Sequence, residues 1–195
     1  MSTAVHETRT AGYWNGLYDA GYTVDPPTAE ERQMLRVCTA ARSGMRALDI
    51  GCGRGRLSAH MADWGMDVTG TDFSLSAITA ARETHPQVGE LLDFHVYDVT
   101  ADRPLVPNPG PVDIVVCRLS FEFVDSSRFI SRVRRWLAPD GVLHITTTVA
   151  EAMPQGVAHR GLARARIAEL RSGWAHMTVY PIAQDGSLIG VVLQG

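Results

Sequence analysis

The chain has no lysine: all 18 of its positive side chains are arginines. Three cysteines in 195 residues, Cys38, Cys52 and Cys117, are odd in number, far apart and without a C-x-x-C pair. That excludes a disulfide framework and a cysteine zinc site. No apolar run approaches the ~20 residues that a membrane span needs, and the first twelve residues lack the basic segment and apolar stretch of a secretory signal. A cytoplasmic protein that does not enter the membrane is expected. Positive charge is not in excess either, with a net charge of −3 from 18 basic and 21 acidic residues. A nucleic-acid partner therefore loses weight, because duplex binding calls for a concentrated basic face. The seven histidines form no H-E-x-x-H cluster and the acids no D-x-D calcium loop, so no metal is expected.

What is present is the composition of a globular domain, 45% hydrophobic and 20% charged, in a length that suits one domain. From residue 46 onward, apolar runs alternate with helix-period stretches, the pattern of βαβ units around a parallel sheet. Strands are expected at Arg46 to Ile50, Met66 to Thr71, Leu92 to Val99, Val112 to Cys117, Gly141 to Val149, His176 to Ala183 and Leu188 to Leu193. Helices are expected from the glycine cluster to Trp64, from Ser74 to His85, from Asp125 or Ser126 to about Leu137, and from Arg160 to Ser172. The segment Thr100 to Pro111 carries Pro104, Pro107, Pro109 and Pro111 and reads as a surface loop. Pro139-Asp140-Gly141 reads as a turn, and Asp185-Gly186 as a hairpin. Residues 1–45 stand outside the sheet as an N-terminal helical cover, with a helix from Thr28 to Ala41 and an aromatic segment of Tyr13, Trp14, Tyr18 and Tyr22.

The most informative string is ALDIGCGRGRLS, Ala47 to Ser58. Glycines directly after a buried strand let backbone N–H groups approach a polar ligand that side chains would exclude. The dinucleotide fingerprint G-x-G-x-x-G requires glycine at 56, where Arg56 stands, so the spacing is D-x-G-x-G-x-G instead. Asp72 falls about 20 residues past the glycines at the end of the second strand, the place of a ribose ligand. It is equally able to cap the next helix. A tight turn without a ligand is the bland reading of Gly51, Gly53 and Gly55.

Asp49, Gly51, Gly53 and Gly55 resemble the first motif of the class I S-adenosylmethionine-dependent methyltransferases. The resemblance covers roughly residues 46–195 and implies a three-layer α/β/α Rossmann-like fold. Its seven-stranded, mostly parallel sheet has the order 3-2-1-4-5-7-6 with the last strand antiparallel. It implies S-adenosyl-L-methionine as cofactor, held by Asp49, Gly51, Cys52, Gly53 and Gly55, with Asp72 at the ribose, Phe73 beside the adenine, Asp98 near its amino group and Val99 supplying a backbone N–H. The backbone around Cys117 and Arg118 would meet the methionyl part. Tyr13 and Tyr18 are similar in placement to the aromatic segment that closes over that end in relatives, while helix-to-sheet packing explains them as well.

For the chemistry itself, Glu122 follows the fourth strand between Phe121 and Phe123 and is the general-base candidate. His144 and His159 are further candidates, although His144 inside a strand also suits a buried, hydrogen-bonded ring. The expected activity is methyl transfer to O or N of a small molecule, such as a specialised metabolite, by a bacterial enzyme working as monomer or homodimer. An RNA methyltransferase, a nucleotide-dependent oxidoreductase and a cofactor-binding regulatory module are the alternatives. Ala150 to His159 is short where many relatives place a cap, which implies an open pocket or one completed by a second protomer.

Overall fold

The computed structural model describes residues 10–86, 90–101, 104, 110–156 and 161–195. Two helices precede the sheet: α1 (Ala11–Asp19), capped by the Thr10 hydroxyl on Tyr13 N, and α2 (Ala29–Cys38), capped by Thr28 on Glu31 N. The T-x-E-E sequence starts α2 because the hydroxyl accepts one of the orphan N–H groups and the carboxylates meet the positive end of the helix. The remaining elements follow in the order β1 (Arg46–Ile50), α3 (Arg56–Asp63), β2 (Asp67–Asp72), α4 (Leu75–Thr84), β3 (Leu92–Val96), β4 (Val112–Arg118), α5 (Ser126–Trp136), β5 (Leu137–Thr148), α6 (Arg164–Glu169), β6 (His176–Pro181) and β7 (Leu188–Gln194). Short 3₁₀ turns lie at Phe121–Phe123 and Ala150–Ala152.

The seven strands form one sheet of order β3-β2-β1-β4-β5-β7-β6, as the methyltransferase resemblance implies. β1, β2, β3, β4 and β5 pair in parallel, and β7 runs antiparallel to both β5 and β6. Strand alternation splits the core in two. Leu48, Val115, Leu143 and Ile145 face Phe129 and Val133 of α5 and Ile167 of α6. Ala47, Ile114, Val116 and Val142 face Leu35 of α2, Met61 of α3 and Ile78 of α4. The central strands are thus buried on both sides, the condition for a parallel sheet covered by helices. Among the described residues no helix is long and apolar enough to cross a membrane.

Several boundaries differ from the sequence reading, each for a local reason. β3 stops at Val96 rather than Val99, because the chain turns where Asp98 Oδ1 accepts from Thr100 N (2.8 Å) and Thr100 Oγ1 (2.7 Å). Pro139-Asp140-Gly141 lies within β5, not in a separate turn. The register with β4 slips there from Val112↔Leu137 to Ile114↔Val142, since proline has no N–H for the ladder and the surplus residues bulge outward. α6 is shorter than Arg160 to Ser172. Gly161 sits at φ +77° and Leu162 bridges to Val149, so the helix begins only at Arg164. Most of the proline-rich loop, with Pro107 and Pro109, lies outside the described residues.

Candidate active site

The sheet order reverses at β1, with β2 and β3 on one side and β4 and β5 on the other. A crevice at the carboxyl ends of the strands is the expected ligand site of such a sheet. A cavity of about 410 Å³ opens there. Its floor is the loop after β1. Gly51 and Cys52 donate to Thr71 O (2.8 and 3.0 Å), and Gly53 N donates to Asp72 Oδ2 (3.0 Å). Gly51 is required sterically: at φ +70° its absent Cβ leaves room for the Ser120 side chain, which in turn donates to Ile50 O at 3.1 Å and pins the end of β4 to the end of β1. At Gly53, φ +54°, a Cβ would stand 2.7 Å from Tyr18 Oη.

Ten of the residues expected to hold a cofactor line this cavity: Asp49, Gly51, Cys52, Gly53, Asp72, Phe73, Asp98, Val99, Arg118 and Tyr18. Three do not. Gly55 starts α3 in the left-handed region and lies against the Phe94 ring, so its lack of a side chain serves packing. Cys117 is buried with its Sγ 3.1 Å from Ser120 Oγ, and burial pushes its thiol up to about 12. Tyr13 packs edge-on against Trp14. The cover contributes Trp14, Tyr18 and Tyr22 instead, whose spacing of four puts them on one side of a helical path and is the signal that separates them from Tyr13.

Of the catalytic candidates, Glu122 lines the cavity from the turn after β4, and its Oε2 accepts from Gly161 N at 2.8 Å. His144 does not reach it. The ring is fully buried in β5 with Nε2 2.6 Å from Tyr180 Oη, and burial lowers its pKa to about 4. It is a core histidine, on the inner part of a strand where the cavity does not extend. His159 lies outside the described residues.

The electrostatics centre on two shielded carboxyls. Burial raises Asp49 to about 6, against the hydrogen bond from Ser58 Oγ (2.6 Å) and the attraction of Arg118. Burial likewise raises Asp72 to about 6, opposed by the backbone N–H groups of Ser74 and Gly53. The Tyr18 hydroxyl is pushed above its ordinary range by burial and then by Asp72. Asp72 therefore caps the next helix and lies at the cavity as well. It receives Ser74 N (2.9 Å) at the start of α4 and faces the cavity, and a carboxylate has lone pairs for more than the two backbone donors it holds.

The sequence did not point to Glu31 and Arg118 as partners. Arg118 Nε and Nη2 donate to Glu31 Oε1 and Oε2 at 2.6 and 3.0 Å, joining the end of β4 to the first turn of α2. Asn15 Oδ1 also accepts from Ser74 Oγ (2.7 Å), docking α1 on the start of α4, and Arg54 Nε donates to Tyr22 O (3.3 Å). Among the described residues no group of three or more His, Cys, Asp or Glu is placed to hold a metal.

Fold and cavity together define a Rossmann-like α/β protein with a glycine-floored ligand site at the strand switch. The profile of the methyltransferase domain family matches residues 48–145, and the chain belongs to that family. A ubiquinone biosynthesis O-methyltransferase of Pseudomonas aeruginosa (strain UCBPP-PA14) is 34% identical over 109 residues, 55% of this chain and 46% of that protein. The matched segment thus spans about half the length of this relative. The structure of an S-adenosylmethionine-dependent methyltransferase from Aquifex aeolicus superposes with a TM-score of 0.73 at 16% identity, covering 92% of this chain and 97% of that one. The Haemonchus contortus phosphoethanolamine N-methyltransferase 1, in complex with phosphoethanolamine and S-adenosylhomocysteine, gives a TM-score of 0.72 at 16% identity, over 99% of this chain and 50% of that one. At these identities the two structures speak for the fold.

Proposed function

We propose that this chain binds S-adenosylmethionine in the cavity and moves its methyl group to an oxygen or nitrogen of a small molecule. The observation that carries the reading is the glycine floor beside Asp72, where backbone and carboxylate meet at the strand switch within a chain of the methyltransferase domain family. Membership of that family and the O-methyltransferase similarity support it. The whole chain reads as one methyltransferase unit, residues 1–45 covering a core of 46–195, in a cytoplasmic enzyme that is monomeric or a homodimer.

The residues present suit such a cofactor. Asp72 would accept from ribose hydroxyls, Phe73, Asp98 and Val99 would flank the adenine, and the loop of Gly51 to Gly53 would lie along the rest. When bound, the cofactor supplies a methyl group already activated on a sulfonium. The protein's own task is chiefly positioning, worth several kcal/mol when nucleophile and carbon are held aligned at about 3 Å. Trp14, Tyr18 and Tyr22 exclude water from above, and aromatic faces beside a sulfonium are electrostatically favourable. Glu122 is placed to take the acceptor's proton.

Calorimetric titration with S-adenosylmethionine, S-adenosylhomocysteine and NADH tests the reading. Binding of the first two alone supports it and opens an acceptor screen by mass spectrometry. Binding of NADH alone, or of none, overturns it.

A further inference from the structure

Five residues that line the cavity, Trp14, Tyr22, Asp25, Glu122 and Phe123, stand outside the set expected to hold the cofactor. Their three rings form a corner. Trp14 stands edge-on to Phe123, with centroids 5.0 Å apart at 69°, and to Tyr22, at 5.9 Å and 67°. Rings set at such angles offer faces as well as edges to the space between them, and a ring face attracts a cation.

Two carboxylates belong to the same corner. Burial raises the pKa of the Tyr22 hydroxyl first, followed by Tyr13, Glu122 and Asp25, and these groups include no cation. Glu122 sits in the turn after β4 with Oε2 on Gly161 N at 2.8 Å, and a carboxylate has lone pairs for further donors. Asp25 is held extended by the proline that follows it. Its segment is anchored on both sides, by Arg54 Nε on Tyr22 O (3.3 Å) and Arg32 Nη1 on Pro27 O (2.6 Å).

The arginines that line the cavity are engaged elsewhere. Glu31 binds Arg118 (2.6 and 3.0 Å), the carbonyls of Tyr18 and Tyr22 accept from Arg54, and the Thr100 carbonyl accepts from Arg128 at 3.5 Å. Arg56, which opens α3, is not among the groups acting on Tyr22. Two carboxylates against an aromatic wall favour a positive guest and repel a phenolate or a carboxylate.

We infer that this corner is the acceptor subsite and that it selects an amine bound as its ammonium, with Asp25 and Glu122 as counter-charges and the rings of Trp14, Tyr22 and Phe123 as the wall. The inference rests on the methyltransferase reading and narrows its acceptor atom to nitrogen. An ammonium brought beside a sulfonium needs counter-charge, which explains a second carboxylate that a phenol acceptor would not require. In the reaction the ammonium gives one proton to the Glu122 carboxylate, and the freed lone pair forms the new N–C bond. The C–S bond breaks with its electron pair passing to sulfur, S-adenosylhomocysteine leaves, and Glu122 returns its proton to solvent. The methylated product is again an ammonium.

The test uses three probes that share a phenyl body: phenethylamine as the cation, 2-phenylethanol as the neutral compound and 3-phenylpropanoate as the anion. Each is titrated by calorimetry into the full chain saturated with S-adenosylhomocysteine. Phenethylamine is expected to bind about tenfold or more tighter than the other two. Asp25→Asn and Glu122→Gln each reduce that preference and the double variant abolishes it, while 2-phenylethanol binds as before. Phe123→Leu weakens the amine more than the alcohol. Equal binding of the three probes, a preference for the alcohol or the anion, no binding of the amine at millimolar concentration, or a preference unchanged in the double variant overturns the inference. The comparison of probes on the wild type needs no variant to fold. Failure of the wild type to bind S-adenosylhomocysteine removes the cofactor reading instead and is seen before any probe is added.

Discussion

His144 Nε2 and Tyr180 Oη lie 2.6 Å apart, joining β5 to β6 inside an apolar core, and the other ring nitrogen of His144 has no hydrogen-bond partner among the described residues. Tyr180→Phe removes the one hydrogen-bond partner that the imidazole has among the described residues and is expected to cost about 1–3 kcal/mol. The pH dependence has a definite sign. Burial lowers His144 from 6.5 to about 4, so the unfolded chain takes a proton that the fold refuses. Its contribution is fully present above 6.5 and is lost as pH falls towards 4. Urea titrations of wild type and His144→Leu across that window should show the wild type losing up to roughly 1.4 kcal/mol per pH unit more than the variant. Parallel curves would contradict a neutral buried ring.

Asp72 titrates in the opposite sense. Its carboxyl is raised from 3.8 to about 6 by burial, so the ligand-free fold loses stability as pH rises through that interval and levels off above it. Cofactor binding needs the ionised acceptor. The affinity for S-adenosylhomocysteine should be flat above pH 6 and weaken below it, and Asp72→Ala should lower it by a few kcal/mol at most. Calorimetry at several pH values checks both, and an unchanged affinity in a folded Asp72→Ala protein removes Asp72 from the ribose.

Gly53 and Tyr18 share one space. Gly53→Ala faces two costs, about 1–2 kcal/mol for a side chain in the left-handed region and the 2.7 Å approach to Tyr18 Oη. Tyr18→Phe removes the second cost alone. The double variant should therefore be more stable than the sum of the singles predicts, with a coupling of about 0.5–3 kcal/mol. Additive values by chemical denaturation would mean that Tyr18 moves freely away.

Glu122→Gln keeps an acceptor for Gly161 N and removes the base. With the acceptor substrate in hand, kcat is expected to fall about 100-fold or more while S-adenosylhomocysteine binds as before. A normal kcat would leave Glu122 as a staple of the loop after β5 and the methyl transfer as a reaction of positioning alone.

The elements of the sheet were legible because their signals are local. Arg46–Ile50 is a strand whatever its neighbours, and three glycines after it end in a helix start. Boundaries failed where a longer-range partner intervened: Asp98 turning β3 away, the slipped register of β4 carrying Pro139 into β5, and Gly161 delaying α6. Asp72 was found from its spacing, and Trp14 and Tyr22 were within reach of the same kind of reading, since only their phase separates them from Tyr13.

The sequence by itself determined the class of fold, the order of the strands through the family pattern, and a glycine floor with an acid beside it, for these depend on spacing along a few tens of residues. Tertiary structure decided which side chains meet. Glu31 and Arg118 are 87 positions apart, and His144 and Tyr180 36. Gly55 lies against the Phe94 ring, 39 positions on. Nothing in periodicity or composition encodes such encounters, because they follow from strand order, from register and from the face of the sheet on which each residue emerges.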